Sequence, residues 1–537
     1  MNHLYYGDNL TIMQRMPKWS VDLIYLDPPF NSKQNYNLIY KNLTGKPVPD
    51  QAEAFCDTWE MDPQKEEIAR AMPILMREHG VADYYVEFWR LWINALRHTQ
   101  PHLLAYLVYM VQRLLHMKSI LRPTGSIYLH CDSTASHYIK VMMDGIFKHD
   151  NFRNEIIWKR YDRPKGSQHK SKRYGRSSDT ILFYSASDTY TFNADKIRVK
   201  LTPEEIEARY PYVDKKGRYM NGPLLRSDSM GERPNLVFEF AGYTPGKAGW
   251  RMEKEKLQKL FDDGDFLFTS SGTPRRKFRP TNDPGQIVDN VWTDIPALAA
   301  QDNERLGYPT QKPKSLLKRI IEASSNKGDV VFDPFCGCGT TIYAAQELER
   351  QWIGCDIAIL SIKIMREILT GDKYRLVEGS HFKVDGIPVS VEQAEDLFNR
   401  DPFQFEHWIV ERVGGFPTKK TGDKGIDGRL YFETMKGLKC MVLSVKGGKL
   451  RPSDVRDLRG TMVDLPDVEI AGFLSLQEPS KAMYDAASLA GQYEYSGTKY
   501  DRIQFLTVRE ILEEKRDFHT PTKMASRISS PQGSFAF

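Results

Sequence analysis

The segment 330–341, VVFDPFCGCGTT, constrains the fold more than any other stretch of the chain. An apolar run of strand length enters a glycine-rich turn, and a helical pattern follows. Gly337 and Gly339 let backbone approach a ligand closely, and the start of the helix offers free N–H groups. Such a strand–glycine turn–helix unit usually binds a nucleotide at the edge of an α/β sheet. No Gly-Lys-Ser/Thr follows, which excludes a phosphate loop, and the third glycine of the dinucleotide fingerprint is absent. Fifteen residues after Thr341 the run WIGC ends in Asp356, an acid at the tip of the adjacent strand, placed to accept ribose hydroxyls. Loop and acid together fit an adenosine ligand without a diphosphate. Spacing alone leaves open a plain tight turn with a surface acid.

The rest of the chain divides around this unit. Residues 1–158 alternate short β-branched or aromatic runs (VDLIYL, GSIYLHCD, NEIIWKR) with helical patterns, the sign of an α/β sheet covered by helices. Periodicity fails over 159–300, where Gly, Pro, basic and aromatic residues crowd together, and this reads as an irregular insertion. Over 301–375 the α/β pattern returns, with a helix at 313–325, strands at 329–333 and 352–355, and a helix from Thr340. A loop, GDKYRLVEGSHFKVDGIP, leads to a third α/β block at 385–515. The tail 516–537 is polar, rich in Pro and Ser, and expected to be disordered.

A chain of 537 residues accommodates several such cores. No apolar run reaches the ~18 residues of a spanning helix. The stretch 91–121 is broken by Arg97, His98, Pro101, Gln112 and Arg113 and reads as amphipathic helix. The opening MNHLYYGDNL lacks the basic start and apolar core of a signal peptide. Six scattered cysteines suit a reducing, cytosolic setting, and Cys336 and Cys338 have no second pair at zinc spacing. The net charge of +5 is small for this length, but 159–176 holds eight Lys/Arg and one acid with Tyr161 and Tyr174 interleaved. That run suits a phosphate backbone, or equally a solvated loop.

The run VDLIYLDPPF sets Asp27, Pro28, Pro29 and Phe30 at the carboxyl end of an apolar strand, the edge where open α/β sheets bind ligands. Two prolines fix φ and remove two donors, so the Pro28 carbonyl points in one direction. Asp27 and that carbonyl together can accept both hydrogens of an aromatic amine, and Phe30 offers a face for an extruded base. An aromatic amine is a poor nucleophile because its lone pair is delocalised. Hydrogen bonds accepted from its N–H groups favour the tetrahedral nitrogen of the transition state, so attack by that nitrogen on an electrophile can be direct, without a covalent intermediate or a metal.

At this point the chain resembles the S-adenosylmethionine-dependent amino-methyltransferases of bacterial DNA, in their permuted β-type order, over roughly residues 1–370. The resemblance implies a doubly wound, mostly parallel α/β sheet with an inserted target-recognition region over 159–300. Asp27, Pro28, Pro29 and Phe30 match the catalytic tetrapeptide. The cofactor positions would be Asp8 and Asn9 of GDNL, Thr310, Gln311 and Lys312 of YPTQKP, then Asp333, Phe335, Gly337, Gly339, Thr340, Thr341 and Asp356. GSIYLHCD matches a strand framing the target pocket, and NEIIWKR one leading to the recognition region. DNA contacts would come from Lys159, Arg160, Arg163, Lys165, Lys170, Lys172, Arg173 and Arg176. Members with Asp-Pro-Pro-Tyr or Phe act on adenine N6, whereas Ser-Pro-Pro-Tyr is commoner for cytosine N4, so Asp27 favours adenine. Double-stranded DNA is the implied partner. A homodimer and a restriction-system partner stay open, and no membrane is implied.

The block 385–515 resembles the Mrr-type branch of the PD-(D/E)xK nucleases, an α/β restriction-endonuclease-like fold. Asp427 matches the metal-binding acid, Lys446 the lysine, and Glu406 the acid sometimes found on the first helix. Ser444 stands where that family has Glu, Asp or Gln, and a hydroxyl is a poor ligand for Mg²⁺, the ion cleavage would need. An unrelated α/β domain stays open for this block, and three readings of the chain compete: an adenine methyltransferase with a nuclease-like appendage that grips DNA, through Lys424, Lys446, Lys449 and Arg451, or binds a partner; a single-chain restriction–modification enzyme; and a DNA-binding protein with a dead site. The intact tetrapeptide argues against the last.

Overall fold

The computed structural model describes residues 2–29, 35–38, 52–56, 59–161, 172, 174–282, 285–299, 301–306, 308, 311–418, 425–435, 437–465, 467–521, 527–530 and 533–536. It separates into two compact units, Met1–Phe192 with Asn290–Phe537, and Asn193–Asp289.

The larger unit is built on a nine-stranded sheet: β1 (Asn2–Tyr6), β2 (Val21–Leu26), β3 (Leu121–Cys131), β4 (Phe152–Lys159), β5 (Ser178–Ser185), β6 (Val291–Trp292), β7 (Val330–Asp333), β8 (Gln351–Asp356) and β9 (Phe382–Asp385). Their spatial order is β6-β4-β5-β3-β2-β7-β8-β1-β9. Within this sheet β5 runs against both of its neighbours, and the remaining pairs are parallel. The expected doubly wound, mostly parallel sheet is therefore present. All six residues of β2 are buried, which is why VDLIYL shows no alternation.

Helices cover the sheet: α1 (Asn9–Arg15), α2 (Pro63–Glu78), α3 (Asp83–Thr99), α4 (Pro101–Ile120), α5 (Ser136–Phe147), α6 (Lys314–Ser324), α7 (Thr340–Glu347) and α8 (Ile359–Thr370). Pro101 opens α4 at a position where its missing N–H has no intrahelical acceptor to lose. That helix is apolar nearly all round, and its buried residues join one core with Ile24, Ile127 and Phe332 of the sheet.

Two boundaries differ from those expected. Residues 178–185, read as part of the irregular insertion, form β5. Ile181, Leu182, Phe183 and Tyr184 are all buried, so no period-two signal marks them as a strand. The segment FKVD, read as loop, is β9 and pairs parallel with β1. The separate unit is thus shorter than 159–300. It carries a four-stranded antiparallel sheet around Leu224, Phe240, Trp250, Leu257 and Phe266.

The C-terminal part adds α9 (Val391–Arg400), α10 (Pro402–Arg412), β10 (Phe416–Pro417), β11 (Gly428–Thr434), β12 (Gly437–Lys446), α11 (Pro452–Val463), β13 (Val468–Ser475), α12 (Lys481–Ser488), β14 (Ile503–Thr507) and α13 (Val508–Leu512). Its five strands lie in the order β10 to β14, antiparallel up to β12 and parallel beyond. Order extends into the tail expected to be disordered. Phe518 is buried, His519 exchanges hydrogen bonds with Gln504, and Arg527–Ser530 pairs with Gly533–Ala536. Phe518 closes an apolar gap over Gly472 that polar composition does not reveal.

Candidate active site

Four neighbouring parallel strands, β2, β7, β8 and β1, bring Asp27, Asp333, Asp356 and Asp8 to one carboxyl edge. Register makes this unavoidable: Phe332 sits beside Ile24, Asp333 beside Gly354, and Asp356 beside Tyr6. Chain direction reverses its winding between β2 and β7, the point in such sheets where a crevice opens.

Asp27 follows β2 and is held from one side. Its Oδ2 accepts from Lys312 Nζ, an ion pair across 285 positions of sequence. Its Oδ1 is buried without a hydrogen-bond partner among the described residues. A carboxylate oxygen removed from water with nothing to accept from is expensive unless a ligand supplies a donor. Pro28 is buried behind it. Phe30 and Thr310 lie outside the described residues.

The glycine turn is shaped by close approach. Gly337 and Gly339 have φ of +50° and +90°, and a Cβ on Gly339 would stand 2.5 Å from Met365. The amide of Gly337 donates to Asp356 Oδ2 at 2.8 Å, and Ala358 N donates to Oδ1 at 2.9 Å. Burial nevertheless pushes the Asp356 carboxyl up to about 6. Asp333, 3% exposed, accepts from Thr341 Oγ1 and from Phe335 N. Burial, with Asp27 and Asp356 nearby, holds it at about 7. Thr340 is the first residue of α7. Both shifts come first from burial, and they leave two carboxyls with raised values side by side at one edge of the sheet.

Asp8 caps α1 by accepting from Leu10 N at 2.9 Å, and it also accepts from Arg113 Nη2 at 2.6 Å. Arg113 Nε donates to Asn9 Oδ1 at 2.7 Å, and Asn9 Nδ2 donates to the Pro334 carbonyl at 2.8 Å. The guanidinium lies over the Tyr109 ring, 3.4 Å from its centroid. Arg113 thereby ties the GDNL segment to the glycine turn, and sequence reasoning missed it. The available signal was an arginine within an apolar helix, a residue type seldom buried without partners. Gln311 turns its amide back on its own loop, to Leu306 N and the Glu304 carbonyl.

A second missed group starts at Tyr25, two residues before Asp27. Tyr25 Oη and His130 Nδ1 are 2.9 Å apart, and His130 Nε2 is 3.1 Å from Asp179 Oδ2. These buried side chains join β2, β3 and β5. Arg160, expected among the DNA contacts, is ion-paired with Asp179 at 3.3 Å. Once β5 carries a buried acid next to β4, that charge requires a cation. Lys159, Lys172 and Arg176 are described, whereas Arg163, Lys165, Lys170 and Arg173 are not.

In the C-terminal part, Asp427 Oδ2 accepts from Val445 N at 2.6 Å, and burial raises its carboxyl while Lys446 and Ser444 oppose the rise. Asp427, Ser444 and Lys446 are therefore together, while Glu406 lies on α10. Among the described residues no group of three His, Cys, Asp or Glu is placed to hold a metal ion. Lys424 lies outside them.

The profile of the family described as DNA methylase, of the N6/N4 type, matches residues 21–367. The chain is similar to the type II methyltransferase M.EcaI of Enterobacter cloacae, 34% identical over 274 residues, which are 50% of this chain and 58% of that protein. It is also similar to the DNA adenine methyltransferase YhdJ of Escherichia coli K12, 24% identical over 360 residues, 67% of this chain and 79% of that one. The chain thus spans rather more than half the length of the first relative. Among solved structures it matches a DNA modification methylase of Thermus thermophilus complexed with S-adenosyl-L-methionine. That match has 16% identity and a TM-score of 0.32, and covers 72% of this chain and 98% of that one.

Proposed function

The chain belongs to the N6/N4 DNA methylase family, and on that basis we propose that it transfers the methyl group of S-adenosylmethionine to adenine N6 of a base flipped out of double-stranded DNA. The observation that carries this reading is Asp27 Oδ1, a buried acceptor without a donor among the described residues, at the same sheet edge as the glycine turn. Lys312 holds the other oxygen and fixes the carboxylate, so Oδ1 accepts one hydrogen of the incoming amine and the Pro28 carbonyl accepts the second. The nitrogen lone pair is drawn out of the ring and directed at the donor. S-Adenosylmethionine supplies an electrophilic methyl on a cationic sulfur. Asp356 suits its ribose hydroxyls, Asp8 its adenine end, and the buried charge of Asp333 its cationic part.

Adenine is favoured by Asp27 in place of Ser, and by the adenine methyltransferase among the relatives. Cytosine N4 is the alternative. The test is incubation of the full chain with methyl-labelled S-adenosylmethionine and unmethylated DNA, followed by nucleoside mass spectrometry. N6-methyladenine supports the reading, N4-methylcytosine corrects the base, and the absence of both refutes it. Asp27→Asn should lose about 100-fold or more in rate while S-adenosylmethionine affinity stays within about twofold.

For the C-terminal domain we favour DNA contact without cleavage, because Ser444 stands beside Asp427 where a second carboxylate would complete a Mg²⁺ site. A single-chain restriction–modification enzyme is the alternative.

A further inference from the structure

Helix α10 belongs to the C-terminal part, yet two of its side chains reach the edge that holds Asp8 and Asp356. Glu411 Oε2 accepts from Ile359 N at 3.2 Å. Ile359 is the first residue of α8 and stands three positions after Asp356, whose own carboxylate accepts from Ala358 N. Successive amides at the head of α8 are thus held by one acid from the sheet and one from the appended domain. About two helical turns away along α10, Gln404 lies against Gly7, the residue before Asp8. Gly7 has φ of +145°, and a Cβ there would stand 2.9 Å from Gln404 Nε2. The amide of Gly7 in turn donates to the Asp356 carbonyl at 3.0 Å. Gln404 is 3% exposed and its Nε2 has no hydrogen-bond partner among the described residues.

The packing agrees. Tyr308, Cys338, Leu360 and Ile364 of the sheet region share one apolar cluster with Phe416, Tyr431 and Val442 of the C-terminal domain. Tyr308 is also the ring against which Gly337 rests, and its hydroxyl lies 3.1 Å from Ser361 Oγ. The segments that shape the nucleoside end of the site are backed by the domain that resembles a nuclease.

We infer that Glu411 is a positioning residue for the S-adenosylmethionine site, so that the C-terminal domain is a working part of the methyltransferase and not an independent module. This rests on the cofactor reading given above. Glu411 fixes the Asp356–Ile359 turn by accepting from Ile359 N, and Asp356 meets the ribose in the orientation that turn sets. Burial raises the Glu411 carboxyl to about 8 against the opposing Lys363 cation and the Ile359 amide, and the oxygen that accepts from Ile359 N has its counterpart in the amide oxygen of glutamine.

This makes the test a comparison of two near-isosteric variants in the full chain. Glu411→Gln keeps an acceptor and Glu411→Met fills the same space without one. The probe is S-adenosylhomocysteine, titrated calorimetrically at pH 7, with DNA affinity measured in parallel. The expected result is binding within about twofold of wild type for Glu411→Gln and about five- to tenfold weaker for Glu411→Met, the loss of one capping hydrogen bond, with DNA affinity unchanged in both. Equal binding by Glu411→Met and wild type overturns the inference, as does parallel loss of both ligands in both variants. Hydrogen exchange on the wild-type chain gives an independent reading. S-Adenosylhomocysteine should slow exchange in 402–412 as well as in 356–362, because coupling between two sites is reciprocal. Protection confined to 356–362 overturns the inference and leaves the cofactor reading intact. A wild-type chain that does not bind the probe overturns the cofactor reading itself, and this inference with it.

Discussion

Asp333→Asn should make the ligand-free protein more stable and its cofactor site worse. Asp333 ends β7 with its carboxyl buried and raised from 3.8 to about 7. A carboxyl that binds its proton more tightly folded than unfolded contributes stability that is complete below the unfolded value near 3.8 and is lost as pH rises through about 7. At about 1.4 kcal/mol per pH unit the ceiling on this loss is roughly 4 kcal/mol, and relaxation around the charge reduces it to about 2 kcal/mol. Asparagine keeps the geometry: its oxygen can accept from Phe335 N, and its amide can donate to Thr341 Oγ1. The variant's advantage should therefore grow by about 1–2 kcal/mol between pH 5 and pH 8, or roughly 2–4 °C in Tm. Thermal melts of both proteins without ligand, at the two pH values, measure this. On the proposed cofactor reading, S-adenosylmethionine should bind about tenfold more weakly to the variant at pH 8, since the negative charge proposed to offset its cationic sulfur is gone. A Tm difference that is the same at both pH values would falsify the argument that a buried, ionised Asp333 destabilises the ligand-free protein.

Other substitutions probe separate parts of the site. Asp356→Ala should weaken S-adenosylmethionine binding by about tenfold or more while leaving DNA affinity unchanged, as read by calorimetry and by gel shift. His130→Ala should cost about 3 kcal/mol, since it leaves a cavity and strips Tyr25 and Asp179 of a partner. Chemical denaturation checks it, and a loss below about 1 kcal/mol would mean the buried chain of side chains does not brace β2. Incubation of unmethylated plasmid with Mg²⁺ should leave it intact. Cleavage abolished by Asp427→Ala would instead establish the restriction–modification reading.

Local chemistry was legible where it sits at strand ends. DPPF, FCGCG and Asp356 carry their own backbone instructions, through two prolines, two glycines at positive φ and an acid at a strand tip. Their spacing therefore indicated a parallel sheet with its ligand edge before any contact was known. The strands β5 and β9 were not legible. One is buried on both faces and shows no alternation, and the other is four residues long inside a polar loop. Each is a strand because a neighbour supplies the missing ladder.

The residues that complete the site are of a third kind. Lys312 meets Asp27 across 285 positions, Arg113 meets Asp8 across 105, and Glu411 meets Ile359 across 52. Sequence alone determined which residues stand at the carboxyl edge, because apolar runs of strand length, paired prolines and turn glycines are properties of a few consecutive residues. Only the tertiary structure decided which charges pair there and which oxygen has no partner among the described residues. Those pairings depend on the order of strands in the sheet and on where a distant helix packs, and no local pattern encodes either.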